Sequence, residues 1–206
     1  MEYKGQLLQD QWIIEQVFPG VTNGYYLDVG AYDPIVYSNT YNLERLGWDG
    51  ICIEPTPSLY EYLKETRNCK VINVAVDAKC GMREFLDVSI RGHRCYNSFE
   101  EINRVQELFP EFENSDIQPI TVICQTLEAV LELFDAPNYI HYMSLDIEGA
   151  ELACLEGCDF SRRKFGALTI EHNHIADNRD GVRKFMHQHG YRLEKQVEFE
   201  DWFLPE

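Results

Sequence analysis

From residue 25 onward, nearly continuous apolar runs alternate with stretches of helical periodicity, and this alternation constrains the fold more than any other feature of the chain. The runs are YYLDVG (25–30), GICIEP (50–55), CKVINVAV (69–76), YIHYMSLD (139–146) and GALTIEHN (166–173). A strand covered on both faces reads this way because neither side meets water. Strands of that kind separated by helices are the mark of βαβ units around a mostly parallel sheet. The tail YRLEKQVEFEDWFLP reads as two antiparallel strands that close the sheet. At 206 residues the chain is long enough for one well-cored domain, and we read it as one.

Local punctuation supports the helices between the strands. Ser38 is placed to cap a helix that stops at Gly47, and Ser58 with Glu61 has the capping-box spacing. Residues 148–157 and 180–190 read as later crossover helices, the second stopping at Gly190. The N-terminal segment 1–24, with Gln9, Asp10 and Trp12, reads as an amphipathic helix packed on the sheet. Residues 84–119 break the alternation and are too long for a plain connection, which fits either a solvated loop with a short helix or a substrate lid. Arg91, His93, Arg94 and Tyr96 form a local basic and aromatic cluster there, in an otherwise acidic chain, and are the candidate acceptor contacts.

Composition excludes more than it selects. A formal charge of −17 argues against a nucleic-acid partner, which needs clustered Lys and Arg. Seven cysteines without a CxxC pair indicate neither a disulfide framework nor a zinc ribbon. Cys154 and Cys158 lie four apart on an expected helix, where small apolar packing is a better reading than metal ligation. No apolar stretch approaches the roughly 20 residues that cross a bilayer, and the start MEYKGQLLQD lacks the pattern of a signal peptide. A cytoplasmic protein is the expectation.

In open parallel sheets, ligands bind outside the carboxyl ends of the strands. Those ends carry Asp28 with Gly30, then Glu54, Asp77, Asp146 with Glu148, and Glu171 with His172, Asn173 and His174. Glu54 follows Asp28 by 26 residues and closes the strand ICIE, where a carboxylate can accept both hydroxyls of a ribose. The loop after Asp28 has Gly30 for close backbone approach but lacks the further glycines that a pyrophosphate requires. An adenosine without a diphosphate is therefore expected, and S-adenosylmethionine is that cofactor.

The segments GQLLQDQW, YYLDVGAYDPIVYSNTYNLERLGWDGICIEPTPSLY, NVAV with FLDV, MSLDIEGAELACLEG and LTIEHN resemble the FkbM-type methyltransferases over nearly the whole chain. The resemblance implies a Rossmann-like class I methyltransferase fold, a seven-stranded sheet with an antiparallel last strand, and O-methylation of a hydroxyl. It implies that Asp28, Gly30 and Ala31 form the first cofactor loop, and that Glu54, followed by Pro55, meets the ribose. It further implies that Ser38, Asn39 and Thr40 hold the methionine end, that Ala75 and Val76 line the adenine, and that the N-terminal segment folds against the cofactor mouth. Asp33 and Pro34 stand where many members have a glycine, which stiffens the loop.

Methyl transfer to an alcohol needs an oriented oxygen that loses its proton. A divalent ion such as Mg2+ on hard oxygen ligands would lower the pKa of the bound hydroxyl. Asp146 and Glu171 stand at the ends of the fourth and fifth strands, where similar catechol and macrolide-sugar methyltransferases hold their metal, with His172 or Asn173 completing the set. The metal-free reading makes His172 the general base beside Asp146 and Glu148. Glu148 and Glu151 also fit a plain helix terminus, where acids are favoured. The expected function is S-adenosylmethionine-dependent O-methylation of a sugar hydroxyl on a glycan or glycoconjugate, by a chain that works alone or as one module of a larger glycan-synthesising enzyme. A non-sugar natural product as acceptor, and a non-catalytic cofactor-binding module, are the alternatives.

Overall fold

The computed structural model describes residues 1–90, 93–98 and 116–206, with side chains described outside 88–118. Eleven strands are described. They are β1 (Tyr25–Val29), β2 (Asp49–Ile53), β3 (Lys70–Ile72), β4 (Ala75–Val76), β5 (Gly81–Ile90), β6 (His93–Ser98), β7 (Asp116–Gln125), β8 (Tyr139–Leu145), β9 (Lys164–Glu171), β10 (Tyr191–Val197) and β11 (Glu200–Pro205). Seven of them form one sheet in the order β10-β11-β9-β8-β1-β2-β3. Neighbours from β3 through β9 run parallel, while β11 pairs antiparallel with both β9 and β10. The architecture is thus mixed α/β around a seven-stranded, mostly parallel sheet, and the tail forms the expected antiparallel pair.

The run CKVINVAV does not make one strand. β3 extends the large sheet, whereas β4 joins β7, β5 and β6 in a second, four-stranded sheet. Asn73 marks the break: its side-chain amide donates to the carbonyls of Glu54 and Pro55, which ties the turn to the end of β2. Part of the 84–119 stretch is likewise sheet, since β5 pairs antiparallel with β6 and β7.

Six helices are described: α1 (Gln9–Trp12), which runs into a single π-helical turn at Ile13–Val17, α2 (Tyr41–Arg45), α3 (Pro57–Thr66), α4 (Leu127–Leu133), α5 (Glu151–Glu156) and α6 (Ala176–Gln188). The end of α2 is a Schellman motif. Gly47 (φ +95°) donates to the Glu44 carbonyl and Trp48 to that of Leu43. Ser38 serves α2 from outside it, its hydroxyl accepting the Tyr41 N–H at 3.2 Å. In α3 the Ser58 capping box gives way to Pro57 at the first helical position, where its fixed φ suits the first turn, so Thr56 is the cap residue. No described helix is long and apolar enough to cross a membrane.

Strand alternation divides the core into two layers. Tyr25, Leu27 and Val29 of β1 pack in the cluster that includes Leu127 and Leu131 of α4, Cys154 of α5 and Met186 of α6. Tyr26 faces the other way, with Cys52, Leu43 of α2, Leu63 of α3, Trp12 and Trp202. Cys154 is therefore packing, as its small apolar character predicts.

The N-terminal segment is stitched across the sheet end by polar contacts. Gly5 bridges Tyr37, and the Asp10 carboxylate accepts from the Lys4 N–H and the Asn42 amide. Gln9 donates to Glu200 at 2.7 Å, and the indole of Trp202 donates to the other Glu200 oxygen at 2.9 Å. Burial, reinforced by the charge of Asp146, pushes the Glu200 carboxyl up to about 7. A carboxyl raised in the fold contributes stability that is complete below its unfolded pKa and is lost as pH rises through 7. Glu200→Gln should therefore gain stability relative to the wild type by roughly 2–3 kcal/mol between about pH 5 and pH 8. Urea titrations at the two pH values test this, and a pH-independent difference would show that Glu200 is ionised throughout.

Candidate functional site

A cavity of about 380 Å³ opens at the carboxyl ends of β1, β2, β8 and β9, with β4 and β5 as its far wall. Asp28, Gly30, Ala31, Ser38, Asn39, Glu54, Pro55, Ala75, Val76, Asp146, Glu148 and Glu171 all line it. Residues far apart in sequence meet there because the parallel strands end on one edge.

Gly30 sets the geometry of the first loop. Its N–H and that of Ala31 both donate to the Ile53 carbonyl, while the Asp146 N–H donates to the Val29 carbonyl. The chain is thereby pinned between the ends of β2 and β8. A Cβ on Gly30 would lie 1.8 Å from the Asp146 carbonyl oxygen, and its φ of +82° is unfavourable for any side chain. Beyond it, Asp33 accepts the N–H groups of Ile35 and Val36 through one side-chain oxygen. Tyr32 (φ 48°) and Tyr37 (φ 61°) take the left-handed turns that a glycine-rich loop would assign to glycine.

Asp28 is buried, and burial raises its pKa. Thr40 does not line the cavity but sits behind it, its hydroxyl donating to Asp28 at 2.5 Å. Arg67 lies deeper still, donating to Thr40, Ser38, the Tyr26 hydroxyl, the Pro34 carbonyl and Glu44. One guanidinium thus fixes the loop that carries Ser38 to Thr40. Glu54 is anchored by the N–H groups of Tyr32 and Thr56, one on each carboxylate oxygen. The Asn39 amide nitrogen donates to the Ser144 hydroxyl at 2.9 Å, whereas its oxygen is buried without a hydrogen-bond partner.

At the opposite wall, carboxylate oxygens of Asp146, Glu148 and Glu171 lie within 4.8 Å of one another. Burial raises the pKa of all three, and the Asp146 charge pushes Glu148 and Glu171 further up. The Asn173 amide bridges the pair, donating to Glu148 at 2.8 Å and Glu171 at 2.7 Å. Glu151 is more than a helix-terminus acid: it accepts the N–H groups of Ile147 and Gly149 and so clamps the loop that presents Glu148. Asn178 secures its other oxygen at 2.6 Å.

His172 is not brought to this cluster. Successive side chains at a strand end point to opposite faces, so with Glu171 in the cavity His172 turns towards Asp201, 3.7 Å away. Its Nδ1 accepts the His174 N–H, and burial lowers its pKa. The structure thus sets His172, expected as base or metal ligand, apart from the carboxyl cluster, in which Glu148 joins Asp146 and Glu171 instead. Arg91 lies outside the described residues, as do the side chains of His93, Arg94 and Tyr96 on β6.

The sequence pattern of the FkbM methyltransferase domain matches residues 28–193. The chain belongs to the FkbM methyltransferase family. The solved FkbM methyltransferase of Methylobacillus flagellatus KT superposes with a TM-score of 0.58 at 12% identity, over 95% of this chain and 47% of the other. That likeness concerns the fold, and the chain spans about half the length of that relative. A Pyrococcus horikoshii protein named as an RNA methyltransferase gives a TM-score of 0.47 at 13% identity, over 97% of this chain and 82% of its own, too distant to carry an argument. No curated protein matches the chain.

Several residues of this FkbM chain's cavity are not singled out by sequence reasoning. Gln6, Phe85 and Ser144 line it, and each falls inside a segment that resembles the family, which is the signal that points to them. Arg67 has no such signal, because its partners lie 23 to 41 residues away in the chain. The tightest steric constraint gives the clearest test. Gly30→Ala is expected to lower stability by about 2–4 kcal/mol through clash and positive φ, read by urea denaturation, and a neutral result would mean that the loop relaxes away from Asp146.

Proposed function

We propose that this chain is an S-adenosylmethionine-dependent O-methyltransferase whose acceptor is a sugar hydroxyl on a glycan or glycoconjugate. The reading takes the large sheet, with its antiparallel strand inserted near one edge, as the Rossmann-like class I methyltransferase sheet. The observation that carries it is the pairing, in one cavity, of the Gly30 approach with the anchored Glu54 carboxylate. The Gly30 backbone forms part of the cavity wall beside Ala31, and a carboxylate fixed at the end of β2 suits a ribose diol. Ser38 and Asn39 line the side proposed for the methionine end, and Ala75, Val76 and Phe85 supply an apolar wall for the adenine.

When bound, the cofactor supplies an electrophilic methyl group on sulfur. The chain's own residues must then orient an acceptor hydroxyl in line and take its proton. With His172 turned away, that proton falls to the carboxyl cluster. A buried carboxyl with a raised pKa accepts and holds a proton nearer neutrality than an exposed one. The same cluster fits a divalent ion, because three converging carboxylates, Glu171 buried and Asp146 and Glu148 half-buried, repel one another and a dication relieves that repulsion. Asp146, Glu148 and Glu171 would hold it, with Asn173 alongside, and it would lower the pKa of the acceptor hydroxyl. Arg91, His93, Arg94 and Tyr96 are proposed to contact the acceptor.

Titrating S-adenosylhomocysteine into the protein by calorimetry is expected to give saturable one-to-one binding, weakened about tenfold or more in Glu54→Gln. Absence of binding to the wild type would overturn the cofactor assignment. For the metal, Mn2+ is expected to raise the melting temperature in wild type and not in Glu171→Gln, since only a species bound to the fold stabilises it. An equal response in both would remove the ion from this cluster.

A further inference from the structure

We propose that Cys52 and Cys69 form a redox-sensitive pair, a site of reversible disulfide modification that joins β2 to the lead-in of β3 directly behind the cavity loop. Their sulfurs lie 3.5 Å apart. Cys52 is fully buried in β2, opposite Asp28 in the β1–β2 register. Cys69 is only half-buried, so a small oxidant reaches it first.

The surroundings make the two thiols unequal. Arg67, two residues before Cys69, brings its guanidinium into this corner together with the Tyr26 hydroxyl, to which it donates at 2.9 Å. The thiol partner, the Arg67 charge and the Tyr26 hydroxyl draw the Cys69 thiol down against the effect of burial, while Cys52 is held well up. No other described thiol has this setting. Burial pushes up Cys124, Cys154 and Cys158, and Cys80 is exposed beside Gln125. A nucleophilic, accessible sulfur touching a buried, protonated one is the arrangement of an attacking and a resolving cysteine.

The oxidant is a peroxide. The Cys69 thiolate attacks one oxygen of hydrogen peroxide, an S–O bond forms, the O–O bond breaks and hydroxide leaves. Cys52 then attacks the Cys69 sulfenic sulfur, the S–S bond forms, the S–O bond breaks, and the hydroxyl departs with the Cys52 proton as water. The sum is two thiols and one peroxide to one disulfide and two waters, and a dithiol reverses it.

Closing the gap to a bonded distance of about 2 Å draws the 67–69 segment towards β2. Arg67 holds the Pro34 carbonyl, Ser38 and Thr40, and Thr40 holds Asp28. Oxidation therefore loosens the wall on which the cofactor reading depends, and this second half of the proposal rests on that reading.

Peptide mapping by mass spectrometry after graded hydrogen peroxide is expected to give a Cys52–Cys69 cross-linked peptide before Cys80 is modified, with reversal by dithiothreitol. In Cys52→Ser, dimedone should trap a sulfenic acid at Cys69. In Cys69→Ser, Cys52 should remain a thiol. Oxidation of Cys80 while this pair stays reduced, or over-oxidation of Cys69 without a cross-link, would overturn the site. Calorimetry on the oxidised wild type should show S-adenosylhomocysteine binding weakened about tenfold, the loss of roughly one charge-assisted hydrogen bond. Unchanged affinity in a fully cross-linked sample would overturn the coupling. A reduced wild type that binds no S-adenosylhomocysteine would fail the cofactor reading instead, and the cross-link would still be decided by mass.

Discussion

The cavity depends on one steric contact, the backbone of Gly30 against the carbonyl of Asp146. Because no Cβ intervenes, β1 and β8 end close enough for the Asp146 N–H to reach Val29 while Gly30 and Ala31 reach Ile53. That hydrogen bonding leaves the strand-end acids projecting into one space instead of splaying apart. Widening the contact would separate the Asp28 and Glu54 side of the cavity from the Asp146 and Glu171 side.

Around that contact the two walls are supported by opposite electrostatic devices. The first wall is backed by a buried cation, Arg67, whose pairing with Glu44 and donation to neutral hydroxyls fix the loop without a charge in the cavity itself. The second wall is a concentration of acids, with Glu151 and Glu200 behind the three that meet. Their carboxyl groups are raised because water is excluded and like charges lie near. Such an arrangement stores electrostatic repulsion, which a proton or a bound cation relieves.

Much of this was legible in the sequence, for local reasons. The central strands β1, β2, β8 and β9 are legible because burial on both faces leaves a short-range signature, and the strand-end acids follow from where such strands stop, whereas the run 69–76 hides its break at Asn73. The rest was hidden for three reasons. Arg67 and Glu151 act through partners remote in sequence or through backbone N–H groups, and neither leaves a pattern. His172 was a failure of parity, since Glu171 and its neighbour cannot both face one cavity, and the two-residue period of a strand already says so. β5 and β7 were hidden because REFLDVSI and DIQPITVI interrupt the expected alternation with polar residues and a proline.

The same period constrains how this chain can vary. In β1, Tyr25, Leu27 and Val29 belong to one core layer and Tyr26 to the other, on the side where Asp28 meets Thr40. Losing or gaining a single residue within this strand would exchange the two layers and turn Asp28 away from its hydroxyl partner. Substitutions can drift through such a segment one at a time, whereas single-residue insertions and deletions are closed to it. Length changes in descendants of this chain belong instead in the turns that the sheet does not count.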